Sequence, residues 1–201
     1  DNIKFAEKII SRKIRGDIIV KKKMLAVTLI LFIGLLFSGT IYYFIKNPAL
    51  YSLSITFGTI FYHFAMRLAV GYIINNRFHN HIDYTLKWFK ERDFEQKFYI
   101  WIQIKKWKKW VPVFNPKDYD LKNNSIAEII QVTCQAEVVH EIIMILSFVP
   151  VIFSVWFGAA EVFLITSCVA FLIDSIFVVL QRYNRPRLMR LLKDKQLSNN
   201  L

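Results

Sequence analysis

Cysteine is scarce in this chain, with Cys134 and Cys168 its two examples. Each lies in or beside a long apolar stretch, which suits reduced, packed thiols better than a disulfide framework. The short signatures of several enzyme classes are also missing. No His-Glu-x-x-His spacing occurs, which disfavours a zinc hydrolase. No serine nucleophile elbow and no His-x-x-x-x-Asp box occurs, which disfavours lipases and the soluble-type glycerolipid acyltransferases. Internal repeats and low-complexity tracts are absent. Acidic residues are few, 15 against 27 Lys and Arg, leaving a formal charge of +12.

The apolar residues are abundant, 55% of the 201, and they come in long blocks rather than with the periodicity of a soluble core. Four blocks stand out, at about 24–45, 49–74, 138–157 and 159–180. Each reaches the ~20 residues needed to cross a hydrocarbon layer of about 30 Å. The expectation is a single integral membrane domain over 1–201: an all-α, polytopic protein with four transmembrane helices. The first block is expected to be a span and not a signal peptide, because a long polar arm precedes it and no small-residue cleavage site follows.

Basic residues set the expected orientation. The arm up to Lys23 carries eight Lys/Arg, the segment 75–137 carries eleven, and the tail after Leu180 carries six, whereas the first hairpin has Lys46 alone. Lys/Arg-rich loops stay cytoplasmic. Both termini and the central segment are therefore expected inside, with tight outer connections near Asn47-Pro48 and Trp156-Gly158. The central segment is too polar to span and too aromatic for a free linker. From Asp83 to Trp110 its apolar residues recur at helical spacing, with Val111-Pro112 ending the run. It is expected to lie as one or two helices on the inner membrane surface, tryptophans at headgroup level and lysines toward anionic phosphates. The loop Asn115–Asn124 is turn-rich, and Ser125 with Glu128 forms a capping-box pattern for a helix continuing through His140.

Chemistry concentrates in three places. His63 and Arg67 share a helix face inside the second block, and ionisable groups at membrane depth cost about 2.5 to 3.5 kcal/mol each on insertion scales. Arg67 is expected either to snorkel to the headgroups with His63 bonded to a neighbour, or to build a polar pocket with it. Next, Gln131, Cys134, Glu137, His140 and Glu141 recur at spacings of three and four. A carboxylate one turn from an imidazole can fix its tautomer and make it a general base. Cys134 reads as a packed thiol rather than an acyl carrier, and a metal is disfavoured because the two histidines lie in separate blocks. Third, Gln181-Arg182-Tyr183-Asn184-Arg185-Pro186-Arg187 interleaves arginines with Tyr and Asn, a composition suited to phosphate or carboxylate, and Pro186 is expected to break the helix. Asp174, in the fourth block, is a buried acid expected to pair with Arg67 or a tail arginine. The run Lys105-Lys106-Trp107-Lys108-Lys109-Trp110 suits lipid headgroups, not nucleic acid.

Three of these stretches, Lys-Lys-Trp-Lys-Lys-Trp-Val-Pro (105–112), Thr-Cys-Gln-Ala-Glu-Val-Val-His (133–140) and Gln-Arg-Tyr-Asn-Arg-Pro-Arg (181–187), resemble the glycosyl-4,4'-diaponeurosporenoate acyltransferase family. The resemblance covers roughly Phe61 to Leu191 and leaves the first span outside. It implies transfer of a fatty acyl chain to a sugar hydroxyl of a glycosylated carotenoid, in a bacterial cell membrane. Acyl transfer fits the residues: it needs a base, donors for an oxyanion and a slot for hydrocarbon. His140 with Glu137, or His63, are the expected catalytic groups. Arg67, Asn184, Arg182, Arg185, Arg187, Trp107 and Trp110 are the expected substrate-binding residues. The donor is expected to be acyl-coenzyme A or an acyl carrier protein, with no tightly bound cofactor; the acceptor is a lipid or glycolipid. A non-enzymatic scaffold or lipid-binding subunit, and a phospholipid-remodelling acyltransferase, are the competing readings.

Overall fold

A computed structural model describes residues 2–111 and 116–199, with side chains over 22–111 and 117–198. Pro112 and Asn115, and the side chains of the basic arm from Lys4 to Lys21, lie outside the described residues. Seven α-helices and no strand occur among the described residues: α1 Asn2–Ile45, α2 Pro48–Phe78, α3 Glu95–Trp101, α4 Ile104–Trp107, α5 Ile126–Leu146, α6 Val149–Phe157 and α7 Ala160–Asn199. Four stretches are long and apolar enough to cross a membrane: Lys22–Ile45, Pro48–Phe78, Ile126–Phe157 and Ala160–Ser198. The chain is an all-α membrane protein with four spanning helices. The helices outrun the apolar blocks.

The chain divides into two compact units. The first contains Lys21–Ile74 and Val139–Ile176; the second is built chiefly from Asn75–Val138 and Phe177 onward. In the first unit, α1 stops at a left-handed Lys46 (φ 55°). Asn47 then caps α2, its Oδ1 accepting the Ala49 N–H at 2.8 Å, and Pro48 supplies a pre-set first-turn φ. Helices α1 and α2 approach closely where Gly34 faces Phe57; a Cβ there would meet the ring at 3.0 Å. Ser54 donates to Ser38 at 3.0 Å across the same pair, the small-residue packing that substitutes for a hydrophobic drive inside lipid. Ile30, Ile33, Phe37, Val155 and Leu172 stay exposed, as lipid-facing positions of spans must.

The third span is two helices. Pro150 has no N–H for the Leu146 carbonyl four residues before it. That carbonyl instead accepts the Tyr62 hydroxyl of α2 at 3.0 Å. Gly158 (φ 67°) and Ala159 (φ 51°) then turn the chain into α7. Met66, Val70 and Ile143 form the buried apolar centre of this unit, packed by Tyr62, Val139 and Leu146.

In the second unit the capping box is formed: the Glu128 N–H donates to Ser125 Oγ (3.2 Å) and the Ser125 N–H to Glu128 Oε2 (2.6 Å). The one or two surface helices expected over 83–110 are much shorter than that stretch. The segment breaks into α3, α4 and two 3₁₀ turns, Lys87–Phe89 and Lys108–Trp110. Asp83 draws the Thr85 N–H into an Asx turn (2.9 Å), and Gln103 adopts a left-handed φ of 51°, both of which interrupt a helix. The apolar recurrence instead marks anchors: Ile82 and Phe89 pack with Ile130 and Cys134, and Tyr99 and Ile104 are buried as well. Pro186 does not end α7, which runs on to Asn199 with the proline inside it. Ion pairs of Arg182 and Arg185, described below, and the packing of Leu188 and Leu192 on the Ile130–Cys134 core hold the helix on both sides of the missing N–H.

Candidate functional site

Six of the expected site residues sort into two clusters, one in each unit. In the first unit, α2 carries His63 and Arg67, α5 carries His140 and α7 carries Asp174. Asp174 is 1% exposed and uses both oxygens: Oδ2 pairs with Arg67 Nη2, and Oδ1 lies 2.9 Å from His140 Nδ1. Arg67 also donates to the His63 carbonyl (3.1 Å) and the Ala170 carbonyl (3.4 Å). The guanidinium is therefore turned into the helix bundle and does not snorkel. A guanidinium and a carboxylate buried together compensate each other's charge, which lets both persist at this depth.

The His140–Asp174 contact has the form of an orienting carboxylate and a base. With Nδ1–H donating to Asp174, the lone pair of the neutral ring resides on Nε2. His140 is 23% exposed, so its ring is reachable while its partner is not. Glu137 was the carboxylate that spacing suggested for this role. Its oxygens face arginines, and the acid on His140 comes from another helix. The signal for it was Asp174 itself, a lone acid in the fourth apolar block. His63 is buried beside this group, edge-on to Tyr62 with ring centroids 5.6 Å apart. Neither of its ring nitrogens has a hydrogen-bond partner.

In the second unit, Glu137 is 0% exposed and bonded to two guanidiniums, Oε1 to Arg182 at 2.6 Å and Oε2 to Arg185. Arg182 also pairs with Glu95 Oε1 at 2.5 Å and donates to the carbonyls of Trp88 (3.1 Å) and Lys90 (3.0 Å). Arg185 donates to Thr133 Oγ1 (3.2 Å), to the Thr133 carbonyl (3.2 Å) and to that of Phe89 (3.3 Å), and it covers the Phe89 ring at 5.0 Å. Two acids and two bases cancel in charge, and the donors of both arginines are engaged within the protein. This network clips the loop 88–95 to α5 and α7. Glu95 and Thr133 belong to it and escaped the sequence reading, because nothing local distinguishes them from other polar residues. Tyr99 completes the network, its hydroxyl donating to Glu95 at 2.8 Å; burial, then that bond, raises its pKa.

Asn184 and Arg187 face elsewhere. They line a cleft of about 240 Å³ with Tyr119, Gln181 and Leu188 among its walls. Trp107 is partly buried and donates to the Ile102 carbonyl at 2.8 Å, whereas Trp110 is 77% exposed. Cys134 is buried in the apolar core and Cys168 is exposed; both are free thiols.

A model of the glycosyl-4,4'-diaponeurosporenoate acyltransferase family matches residues 85–194, more than half of the chain. The chain belongs to the glycosyl-4,4'-diaponeurosporenoate acyltransferase family. It is an acyltransferase of carotenoid glycolipid formation. The family match takes in His140, Asp174 and the whole Glu95–Glu137–Arg182–Arg185 network. It begins after Phe61–Tyr84, so His63 and Arg67 stand outside it. No curated protein and no solved structure matches the chain.

Proposed function

We propose that this acyltransferase moves a fatty acyl group from a thioester donor, acyl-coenzyme A or an acyl carrier protein, to a sugar hydroxyl of a glycosylated carotenoid, with His140 as the base. The observation that carries this reading is the 2.9 Å contact between His140 Nδ1 and the buried Asp174 carboxylate, itself charge-paired with Arg67. His140 takes the proton of the acceptor hydroxyl as its oxygen bonds to the thioester carbon, and the carbonyl electron pair moves onto oxygen. Collapse of that oxyanion breaks the C–S bond, and the departing thiolate takes the proton back from His140. Asp174 holds the imidazole in the tautomer this sequence requires. No tightly bound cofactor is needed.

The basic residues favour a bacterial cell membrane orientation with both termini and 75–137 on the cytoplasmic side, where thioester donors reside. Trp88, Trp101 and Trp110, all more than half exposed among lysines, support a surface placement for that segment. Comparing lipids by mass spectrometry from cells with and without the protein identifies acceptor and acyl chain together. In purified protein, His140→Ala is expected to lower kcat by about 10²- to 10⁴-fold. Its melting temperature should fall only modestly, because Asp174 loses one contact but keeps its ion pair with Arg67. Asp174→Asn should lower kcat while sparing the KM of both substrates. Near wild-type turnover in His140→Ala removes His140 from the mechanism.

A further inference from the structure

Inside the apolar first unit, two buried polar side chains have no partner. His63 is 4% exposed and Ser167 is 0% exposed; neither ring nitrogen of the one, nor the hydroxyl of the other, makes a hydrogen bond. Ser167 had an ordinary way out. Buried helical hydroxyls elsewhere in this unit bond back to the carbonyl four residues earlier, Thr59 to Ile55 and Ser147 to Ile143, each at 2.7 Å. Ser167 does not. An unsatisfied buried donor is costly, more so away from water, and native structures keep few of them without a reason.

The register of α2 against α7 places the two orphans together. Arg67 meets Ala170 and Asp174 of α7, 103 and 107 positions further on, and Tyr51 in the first turn of α2 meets Phe157, the end of α6 just before α7 begins. The Pro48 end of α2 thus lies beside the start of α7, the two helices run parallel, and a step of one turn back from the Arg67 contacts sets His63 against residues 166–170. Ser167 falls in that window. Both side chains are on inward stripes: Ile55, Thr59, His63, Met66 and Val70 are buried on α2, and Phe163, Ser167, Ala170 and Asp174 on α7. His63 is one turn from Arg67 and Ser167 two turns from Asp174, both toward the Pro48 end of α2.

We propose that His63 and Ser167 form a hydrogen-bonding socket for an oxygen atom of the lipid substrates, completing the site whose base is His140. The proposal rests on the acyl-transfer reading above. A neutral imidazole offers one N–H and a serine one O–H. Two donors at one level, fixed in an apolar surround, suit an acceptor oxygen that arrives with the substrate. That oxygen has two sources, a sugar oxygen of the bound glycolipid or the thioester carbonyl oxygen as it gains negative charge. In the second case the pair acts as an oxyanion hole.

The test uses the full chain in phosphatidylglycerol/phosphatidylethanolamine nanodiscs, with His63→Leu, His63→Gln and Ser167→Ala. Turnover is measured with glycosyl-4,4'-diaponeurosporenoate and palmitoyl-coenzyme A, and melting temperature with and without the glycolipid. Without substrate, His63→Leu and Ser167→Ala should melt at or above the wild type, because an orphaned polar group has been removed. A fall in kcat of about 10²-fold at unchanged KM assigns the socket to the oxyanion. A raised KM for the glycolipid, with a smaller glycolipid-induced rise in melting temperature, assigns it to a sugar oxygen. His63→Gln, which keeps an N–H, should recover part of either loss. Values of kcat, KM and induced melting shift within twofold of wild type in both variants overturn the proposal. So does lost activity accompanied by lowered melting temperature and no recovery in His63→Gln, which assigns His63 to packing. If the wild type turns over no glycolipid, the reaction reading fails separately. The melting arm then decides the socket: a glycolipid shift lost in His63→Leu upholds it, and an equal or absent shift overturns it.

Discussion

Arg185 and Glu137 form an ion pair in which neither partner reaches solvent, their side chains being 3% and 0% exposed. The second oxygen of Glu137 is held by Arg182, so one carboxylate neutralises parts of two guanidiniums. Removing one member of a buried pair strands the other's charge, and such losses cost about 3 to 5 kcal/mol. Glu137→Ala is therefore expected to destabilise the protein by that amount, read from unfolding in detergent. A catalytic carboxylate would behave oppositely, losing turnover at unchanged stability, so the same variant separates the two roles.

Tyr119 gives the fold an alkaline limit. Burial pushes its hydroxyl up to about 12 from an ordinary 10.0. The folded state thus prefers the protonated phenol more strongly than the unfolded chain does. The stability this contributes is fully present below about pH 10 and is lost as pH rises toward about 12. Wild-type melting temperature should fall more steeply across that window than that of Tyr119→Phe, which has no proton to lose there. Parallel curves would show that the phenol titrates with little linkage to folding.

The parts of this fold that were legible in the sequence are those fixed by neighbours along the chain. Four spans follow from apolar length, the first turn from Asn47-Pro48, and the α5 start from Ser125 and Glu128, whose reciprocal bonds both form. The less legible parts depend on partners far away in sequence. Pro186 carries the local signature of a helix end, yet tertiary ion pairs at Arg182 and Arg185 outweigh one missing N–H. The recurrence of aromatics over 83–110 has helical spacing, yet Asp83, Gln103 and the clip to Arg182 divide it into short pieces. Likewise, Glu137 stands one turn from His140 and invited pairing with it, while the acid that reaches His140 is 34 positions further on. That Asp174 pairs with an arginine was legible, because a lone acid within a span has few other ways to remain charged; that the partner is Arg67 and not a tail arginine is decided by the packing of α2 against α7.

The break in the third span rests on one substitute bond. Pro150 leaves the Leu146 carbonyl without its helical donor, and the Tyr62 hydroxyl fills that place at 3.0 Å. In an apolar layer there is no water to take over, so Tyr62→Phe should cost about 1 to 3 kcal/mol, the penalty of an unsatisfied buried group. Pro150→Ala restores an N–H at the position from which an unbroken helix would serve Leu146. Tyr62→Phe introduced into that background should cost much less, because the carbonyl then has a donor of its own. Unfolding free energies of the two single variants and the double variant measure the coupling directly. Additive losses would mean that the bend is held by packing around Met66 and Ile143, and that the tyrosine bond is incidental to it.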